Sequence, residues 1–384
     1  MILHEFIDYS TLKVIWWVLL GVLLIAFAVT DGFDLGVATL LPFVAKTDIE
    51  RRVAINTIGA TWEGNQVWLI LGGGAIFAAW PALYAVSFSG FYLAMFLALA
   101  ALILRPVSFK YRSKRPGERW RRNWDRCLFI GGFVPALIFG VAVGNVLQGV
   151  PFRFDEDLRI FYEGNLFGLL NPYALLCGLL SVAMLVMHGG AWLGLKAGGI
   201  VAERGRAYGS LGALAVIALF ALNGAILYLF IQGYQITSVI DPEMEANPLN
   251  KEVVQGGNGW FANFGTYPYL LICPALGFLG AAGAFFGLRS KVEILTFLSS
   301  KLSVVGIIST VGVSMFPFIL PSSIDPRSSM TVWDTSSSHA TLFNMLVAVA
   351  IFLPLILMYT AWVYRVLWGK IDENTIEKSK DTAY

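Results

Sequence analysis

The feature that most constrains this chain is a succession of apolar stretches, each long enough to cross a bilayer. They fall at roughly 14–41, 57–79, 82–104, 124–147, 167–195, 207–232, 267–288, 296–319 and 339–367. A transmembrane helix needs about 20 such residues, so about nine spans are expected. Backbone N–H and C=O groups find no water inside lipid, and a stretch of this kind satisfies them as an α-helix. Composition agrees: 57% of the 384 residues are hydrophobic and only 14% charged, with mean hydropathy +0.70. A soluble domain has about 25% of its residues charged. The expected fold is all-α, a polytopic integral membrane protein of about nine transmembrane helices. They are arranged as two four-helix bundles plus one peripheral helix, with 1–384 as a single domain. The first stretch has no basic leader or small-residue cleavage site and should be retained.

Orientation follows from the lysines and arginines, because short cytoplasmic loops are enriched in both. With the N-terminus outside, Lys13, Arg153, Arg159, Lys251 and Arg327 lie on the outer side and the other 22 of the 27 basic residues lie at or near the cytoplasmic side. The expectation is a bacterial inner membrane protein with a periplasmic N-terminus and a cytoplasmic C-terminus. The densest basic run, 105–126, holds Arg105, Lys110, Arg112, Lys114, Arg115, Arg119, Arg121, Arg122 and Arg126. Placed between two spans, it reads as a topology anchor touching anionic lipid rather than a nucleic-acid patch. The outer loops 148–166 and 233–266 do not look like folded domains, and the tail after Lys370 is expected to fray. Small residues such as Gly72, Gly73, Gly74, Gly280 and Gly283 suit close helix approach. Trp16, Trp17, Trp80, Trp362 and Trp368 suit an interfacial belt. Cys127, Cys177 and Cys273 are scattered with no Cys-x-x-Cys pair and are expected to be buried thiols.

An ionisable group in the bilayer core is costly unless paired or hydrated, so each is a functional candidate. Three acids stand out: Asp31, Asp34 and Glu63. Asp31 and Asp34 are spaced i, i+3 on one helical face, about 15 Å from the cytoplasmic end of the first helix. Glu63 is about 10 Å into the second helix from the same side. Asn56, Asn65 and Gln66 are near enough in sequence to add hydrogen bonds or hold water. Such a chain of acids can pass protons inward from the cytoplasm. Against this stands a structural role, in which the acids satisfy one another and backbone groups, or bind a neighbouring subunit's arginine; a cation bound among the three acids is a lesser alternative. The Asp31-Gly32 pair marks a candidate helix distortion. Arg105-Pro106 should end the third helix, with Arg105 either paired to one of the acids or snorkelling to headgroups.

Histidine is scarce. His4 is in the terminal tail, His188 lies mid-span and His339 sits at the outer mouth of the last span. A bis-His haem or haem–copper centre needs several histidines facing one another. His188 reads as a hydrogen-bonded core residue, so no redox metal is expected on this chain.

The stretches Ile15-Trp16-Trp17 through Asp31-Gly32-Phe33-Asp34-Leu35-Gly36 and Glu63-Gly64-Asn65-Gln66-Val67-Trp68 resemble subunit II of the cytochrome bd-type ubiquinol oxidases. So do Phe77-Ala78-Ala79-Trp80-Pro81, Phe88-Ser89-Gly90-Phe91-Tyr92, Gly144 through Phe152, and Met315-Phe316-Pro317-Phe318 with Trp333-Asp334. The likeness runs from about residue 10 to the C-terminus. It implies a haem-free subunit paired with a similarly folded subunit I that carries two b-type haems and one d-type haem. The complex would take electrons from the quinol pool, reduce dioxygen to water and draw its protons from the cytoplasm. The resemblance assigns Glu63 to a proton path that reaches the haems across the subunit interface; many relatives have Asp there, and Glu keeps the charge with one more methylene. It also implies an oxygen channel near Trp68, and leaves room for a structural quinone in this subunit and for a small accessory subunit. The rival reading is a proton- or cation-coupled secondary transporter, which would also use buried acids and glycine-rich helices. Transporters often show inverted repeats with broken helices at matching positions, and none is evident here.

Overall fold

The computed structural model describes residues 3–256 and 259–378; the side chains of residues 3 and 4, including that of His4, lie outside the described ones. The chain is helical almost throughout. In order come α1 (Tyr9–Val44), α2 (Asp48–Gly59), α3 (Trp62–Ala79), α4 (Pro81–Gly90), α5 (Tyr92–Tyr111) and α6 (Glu118–Gln148). Then follow α7 (Leu166–Leu169), α8 (Pro172–Lys196), α9 (Gly199–Phe230), α10 (Ala262–Thr266), α11 (Ile272–Ser290), α12 (Glu293–Met315), α13 (His339–Val366) and α14 (Glu373–Lys378). Among the described residues, eight helices are long and apolar enough to cross a membrane: α1, α5, α6, α8, α9, α11, α12 and α13.

The stretch expected as one span at 57–79 is two helices. α2 is a polar helix whose start is fixed by a capping box: the Thr47 side chain accepts from the Glu50 amide, and the Glu50 side chain accepts from the Thr47 amide. It stops at Gly59, and α3 restarts at Trp62 with Glu63, Asn65 and Gln66 in its opening turns. The stretch expected at 82–104 is also divided, at Phe91, and its second helix runs on through Pro106 to Tyr111. The helix therefore does not end at Arg105-Pro106. Proline removes one backbone hydrogen bond, but Phe109 in the next turn stacks on Trp62 at 5.3 Å and Arg105 is locked in an ion pair, so the turn persists.

α1, α3, α5 and α6 pack as one group, and α8, α9, α11 and α12 as another. The groups join where α8 lies against α1 and α6. α8 is the most enclosed of the eight apolar helices, with 67% of its window buried, whereas α13 has 6% buried and leans on α1 and α3. The α1–α8 crossing depends on Gly36 and Gly189. A side chain on Gly36 would run into the Leu185 carbonyl, and one on Gly189 would sit 2.5 Å from the Gly36 backbone. Gly280 and Gly283 act similarly, letting α11 meet α12 at Ser303 and Ser299. A Cβ on Gly72 or Gly74 would meet no described atom within 4 Å, so close packing among the described residues does not require glycine at either position.

The polar loops at the end opposite the basic run are more ordered than their composition suggests. They form three antiparallel pairs: β1 (Phe152–Phe154) with β2 (Ile160–Tyr162), β3 (Tyr234–Ile236) with β4 (Val253–Gln255), and β5 (Phe318–Leu320) with β6 (Met330–Thr331). The C-terminal tail is ordered too as far as residue 378. Ile371 bridges to Ala197, and α14 buries Ile376 against α2.

Candidate functional site: a buried charged network in the membrane domain

The acids on α1 have different partners. Arg105, from α5, donates Nη1 to Asp31 Oδ2 at 2.9 Å and Nη2 to Asp31 Oδ1 at 2.7 Å, and both side chains are wholly buried. Gly131 on α6 makes room for the arginine, because a Cβ there would lie 2.8 Å from Arg105 Cγ. Asp34, one turn along, accepts at Oδ2 from Asn65 Nδ2 at 2.7 Å, and Asn65 Oδ1 accepts from the Tyr364 hydroxyl of α13 at 2.7 Å. Three helices thus meet at Asn65. Two buried atoms of the network, Asp34 Oδ1 and Arg105 Nε, have no hydrogen-bond partner among the described residues. α1 is unbroken through Asp31-Gly32, so the pair marks no distortion; Gly32 instead leaves space for Leu185 of α8.

Glu63 is not part of this cluster. It lies in the first turn of α3 but on the exposed side, while Asn65, two residues on, turns inward. The first turn is where unpaired helix N–H groups favour a negative charge. Sequence depth alone placed the three acids together; the helical phase of α3 separates them. Trp68 is buried, in a cluster with Leu35 and Leu102. Asn56 donates to the Arg52 carbonyl, one turn earlier on α2.

His188 engages both ring nitrogens. Nδ1 pairs with Ser300 Oγ at 2.8 Å and Nε2 with the Val29 carbonyl at 2.9 Å, while the ring stacks on Phe297 at 5.1 Å. His339 pairs with the Ile7 carbonyl and stacks on Tyr9. These residues do not fit haem ligation. Among the described residues no group of three or more His, Cys, Asp and Glu side chains could hold a metal ion.

Sequence reasoning used Lys13 and Lys251 only for orientation and did not single out Lys301. Lys13 on α1 is fully buried, and its ammonium donates to the carbonyls of Pro242, Met244 and Trp333. It sits at the strand-bearing end, where the loops fold over it. Nearby, Lys251 Nζ meets Asp334 Oδ2 at 2.7 Å. Burial pushes the Asp334 carboxyl up and the Lys251 ammonium down, and each group's charge opposes the shift of the other. Lys301, on α12, faces a cavity described below. The signal for Lys13 and Lys301 was present in the sequence: a cation at the edge of, or inside, an apolar run.

At the other end of the bundle the basic run is partly used internally. Arg112 binds Asp125 (2.6 Å) and Asp48 (2.8 Å), Arg121 binds Asp48 (2.8 Å), and Arg204 binds Glu50 (2.8 Å). Burial alone would raise the Glu50 carboxyl. The Lys46 and Thr47 amides and Arg204 outweigh it and hold the carboxyl below its ordinary range. Lys110, Lys114, Arg115, Arg119, Arg122 and Arg126 remain exposed, as an anchor on anionic headgroups requires.

Comparison with known proteins agrees with this architecture. Residues 12–367 match the family model of the cytochrome bd terminal oxidase subunit II. A probable cytochrome oxidase subunit 2 of Haemophilus influenzae is 50% identical over 379 residues, covering 98% of this chain and all of the relative. Cytochrome bd-I ubiquinol oxidase subunit 2 of Escherichia coli K12 is 48% identical over 378 residues, with the same coverage. In fold, the chain is similar to a chain of the bd oxidase from Geobacillus thermodenitrificans, with TM-score 0.70 and 16% identity over 93% of this chain and 98% of that one. A membrane-spanning helical chain aligned from end to end with such relatives belongs to the family of cytochrome bd terminal oxidase subunit II.

Proposed function

We propose that this chain is the haem-free second subunit of a quinol-oxidising, oxygen-reducing oxidase of the bacterial inner membrane. The observation that carries the reading is end-to-end likeness to bd-type oxidase second subunits. His188, with both ring nitrogens bonded to protein groups, and His339, with Nε2 on the Ile7 carbonyl, support placing two haems b and one haem d in a partner subunit I. The end of the bundle carrying the exposed arginines faces the cytoplasm, following the bias of basic residues. α3 counts as the ninth span, since 18 helical residues extend about 27 Å. The whole chain acts as one transmembrane unit.

In this reading the polar groups divide their labour. Asp31 is the counter-ion of Arg105 and fixes α1 to α5. Glu63, exposed on α3, takes up protons at the cytoplasmic end and hands them towards the partner subunit, whose surface covers α3. Asp34, with one carboxylate oxygen unpaired among the described residues, is the inner acid able to exchange a proton, held in place by Asn65 and Tyr364.

The test is Glu63→Gln in the assembled oxidase. Quinol-driven oxygen uptake is expected to fall at least about tenfold, the scale of a lost proton-transfer group, while haem spectrum and subunit ratio stay unchanged. Glu63→Asp should restore most of the rate. Unchanged uptake in the Gln variant would remove Glu63 from the proton path. A chain that purifies folded, alone and without haem bands or uptake would favour the transporter reading.

A further inference from the structure

A cavity of about 280 Å³ opens between α12 and α13 near the end carrying the exposed arginines. α13 packs on α1 and α3, and a lateral crevice separates it from α12. The floor is Phe33 stacked on Trp192 at 4.1 Å; one wall carries Leu298 and Lys301 of α12, and the other Tyr364 and Trp368. Leu298 is 54% exposed and Trp368 64% exposed, so the crevice faces the lipid. The volume is far larger than the roughly 30 Å³ of one water.

Among the described residues Lys301 is the one charged side chain lining this space. It is partly buried and has no hydrogen bond or ion pair among the described residues; its ammonium rests over the Phe297 ring at 4.3 Å. A cation–π contact offsets only part of the cost of removing an ammonium from water. Side chains on a helix lean towards its N-terminus, and Phe297 lies one turn nearer that terminus. The ammonium therefore points to the end where α12 begins, towards headgroup depth. Other charges at that rim are already engaged: Glu293 with Lys370 and Arg206, and Lys196 with the carbonyls of Leu367 and Gly369. An anion with an apolar tail matches this pairing of a cation with an apolar crevice.

We propose that this crevice binds one anionic phospholipid of the adjacent leaflet, its phosphate on Lys301 and one acyl chain running along Leu298 over the Phe33–Trp192 floor. Trp368 supplies the amphipathic rim typical of the membrane interface, and the Tyr364 ring lines the wall with its hydroxyl turned in to Asn65. The site rests on the membrane placement of these helices and not on the oxidase reading.

The experiment uses the purified oxidase complex, stripped of lipid and titrated in native mass spectrometry with phosphatidylglycerol or with phosphatidylcholine of the same chains. The wild type is expected to retain one phosphatidylglycerol that Lys301→Met binds about tenfold more weakly, the scale of a lost charge-assisted hydrogen bond. Lys301→Arg should retain it, and Leu298→Trp, which fills the crevice with the charge intact, should lose it. Haem content reports folding in each sample, and if Lys301→Met fails to assemble, Leu298→Trp decides. Equal retention by Lys301→Met and wild type overturns the proposal. So does equal occupancy by phosphatidylcholine, displacement by inorganic phosphate alone, or loss of a neutral quinone in place of the lipid.

Discussion

Arg105 grips Asp31 through two hydrogen bonds of 2.7 and 2.9 Å, with no exposed surface on either side chain. The pair ties α5 to α1 inside the membrane domain, and it distinguishes two acids that look alike in sequence. Asp31 is committed to the arginine, and Asp34 is left with an amide partner and an open oxygen.

Removing one member of such a pair leaves an uncompensated buried charge. Arg105→Met is therefore expected to destabilise the subunit by about 3–5 kcal/mol, read as lost yield of the assembled complex and a lower Tm. The double variant Asp31→Leu with Arg105→Met should recover much of the loss, because two charges leave together. A double variant no better than the single would show that the pair does more than neutralise itself.

Asn65 joins α3 to both α1 and α13. Asn65→Leu leaves Asp34 and Tyr364 without these partners, at a cost of about 1–3 kcal/mol. If Asp34 exchanges protons, oxygen uptake should drop several-fold with haem content intact. Wild-type uptake in this variant would place Asp34 outside the path.

Glu50 gives a pH signature at the basic end. Its carboxyl is held below its ordinary value of 4.5, so its contribution to stability is complete above that value and disappears as pH falls through the lower folded value. Glu50→Gln should be less stable than wild type at neutral pH and converge with it in acid. A constant gap in Tm between the two from pH 7 down to about 3, below the ordinary glutamate range, would contradict this.

Lys251 and Asp334 form a buried pair on the strand-bearing end, where burial works against both charges. Asp334→Leu alone should be more damaging than Asp334→Leu combined with Lys251→Met, by about 1–3 kcal/mol of coupling. Additive effects in a thermal-melt cycle would show that the two charges do not depend on each other.

Much of the fold was legible because lipid imposes a simple rule: a stretch of apolar residues must close its own hydrogen bonds. Seven of the nine expected stretches coincide with helices able to span, and an eighth, 82–104, does so only beyond Phe91. The rule is blind to breaks that depend on partners across space. α2 and α3 separate at Ala60-Thr61, between a polar helix whose start is fixed by the capping box at Thr47 and Glu50 and the polar first turns of α3. Pro106 fails to stop α5, since the Phe109–Trp62 stacking and the Asp31–Arg105 pair come from other helices.

The candidate site was half legible. Residue chemistry singled out Asp31, Asp34, Glu63 and Arg105, because charge in an apolar run is costly wherever the run folds. Which of them meet was not in that cost. The i, i+3 spacing of Asp31 and Asp34 shows a shared face, yet the structure gives one an arginine from α5 and the other an amide from α3. The cost of Lys301 in its apolar run was equally legible, but the crevice beside it was not.

The sequence by itself determined that this chain is a membrane-embedded helical protein, which end of it is basic, and which family it belongs to. These follow from composition and local order along one chain. Tertiary structure alone decided that Glu63 faces outward while Asn65 reaches Asp34, that Arg105 belongs to Asp31, and that α13 stands apart from α12. Helical phase and the close crossing at Gly36 and Gly189 set those distances, and both arise only when the helices pack.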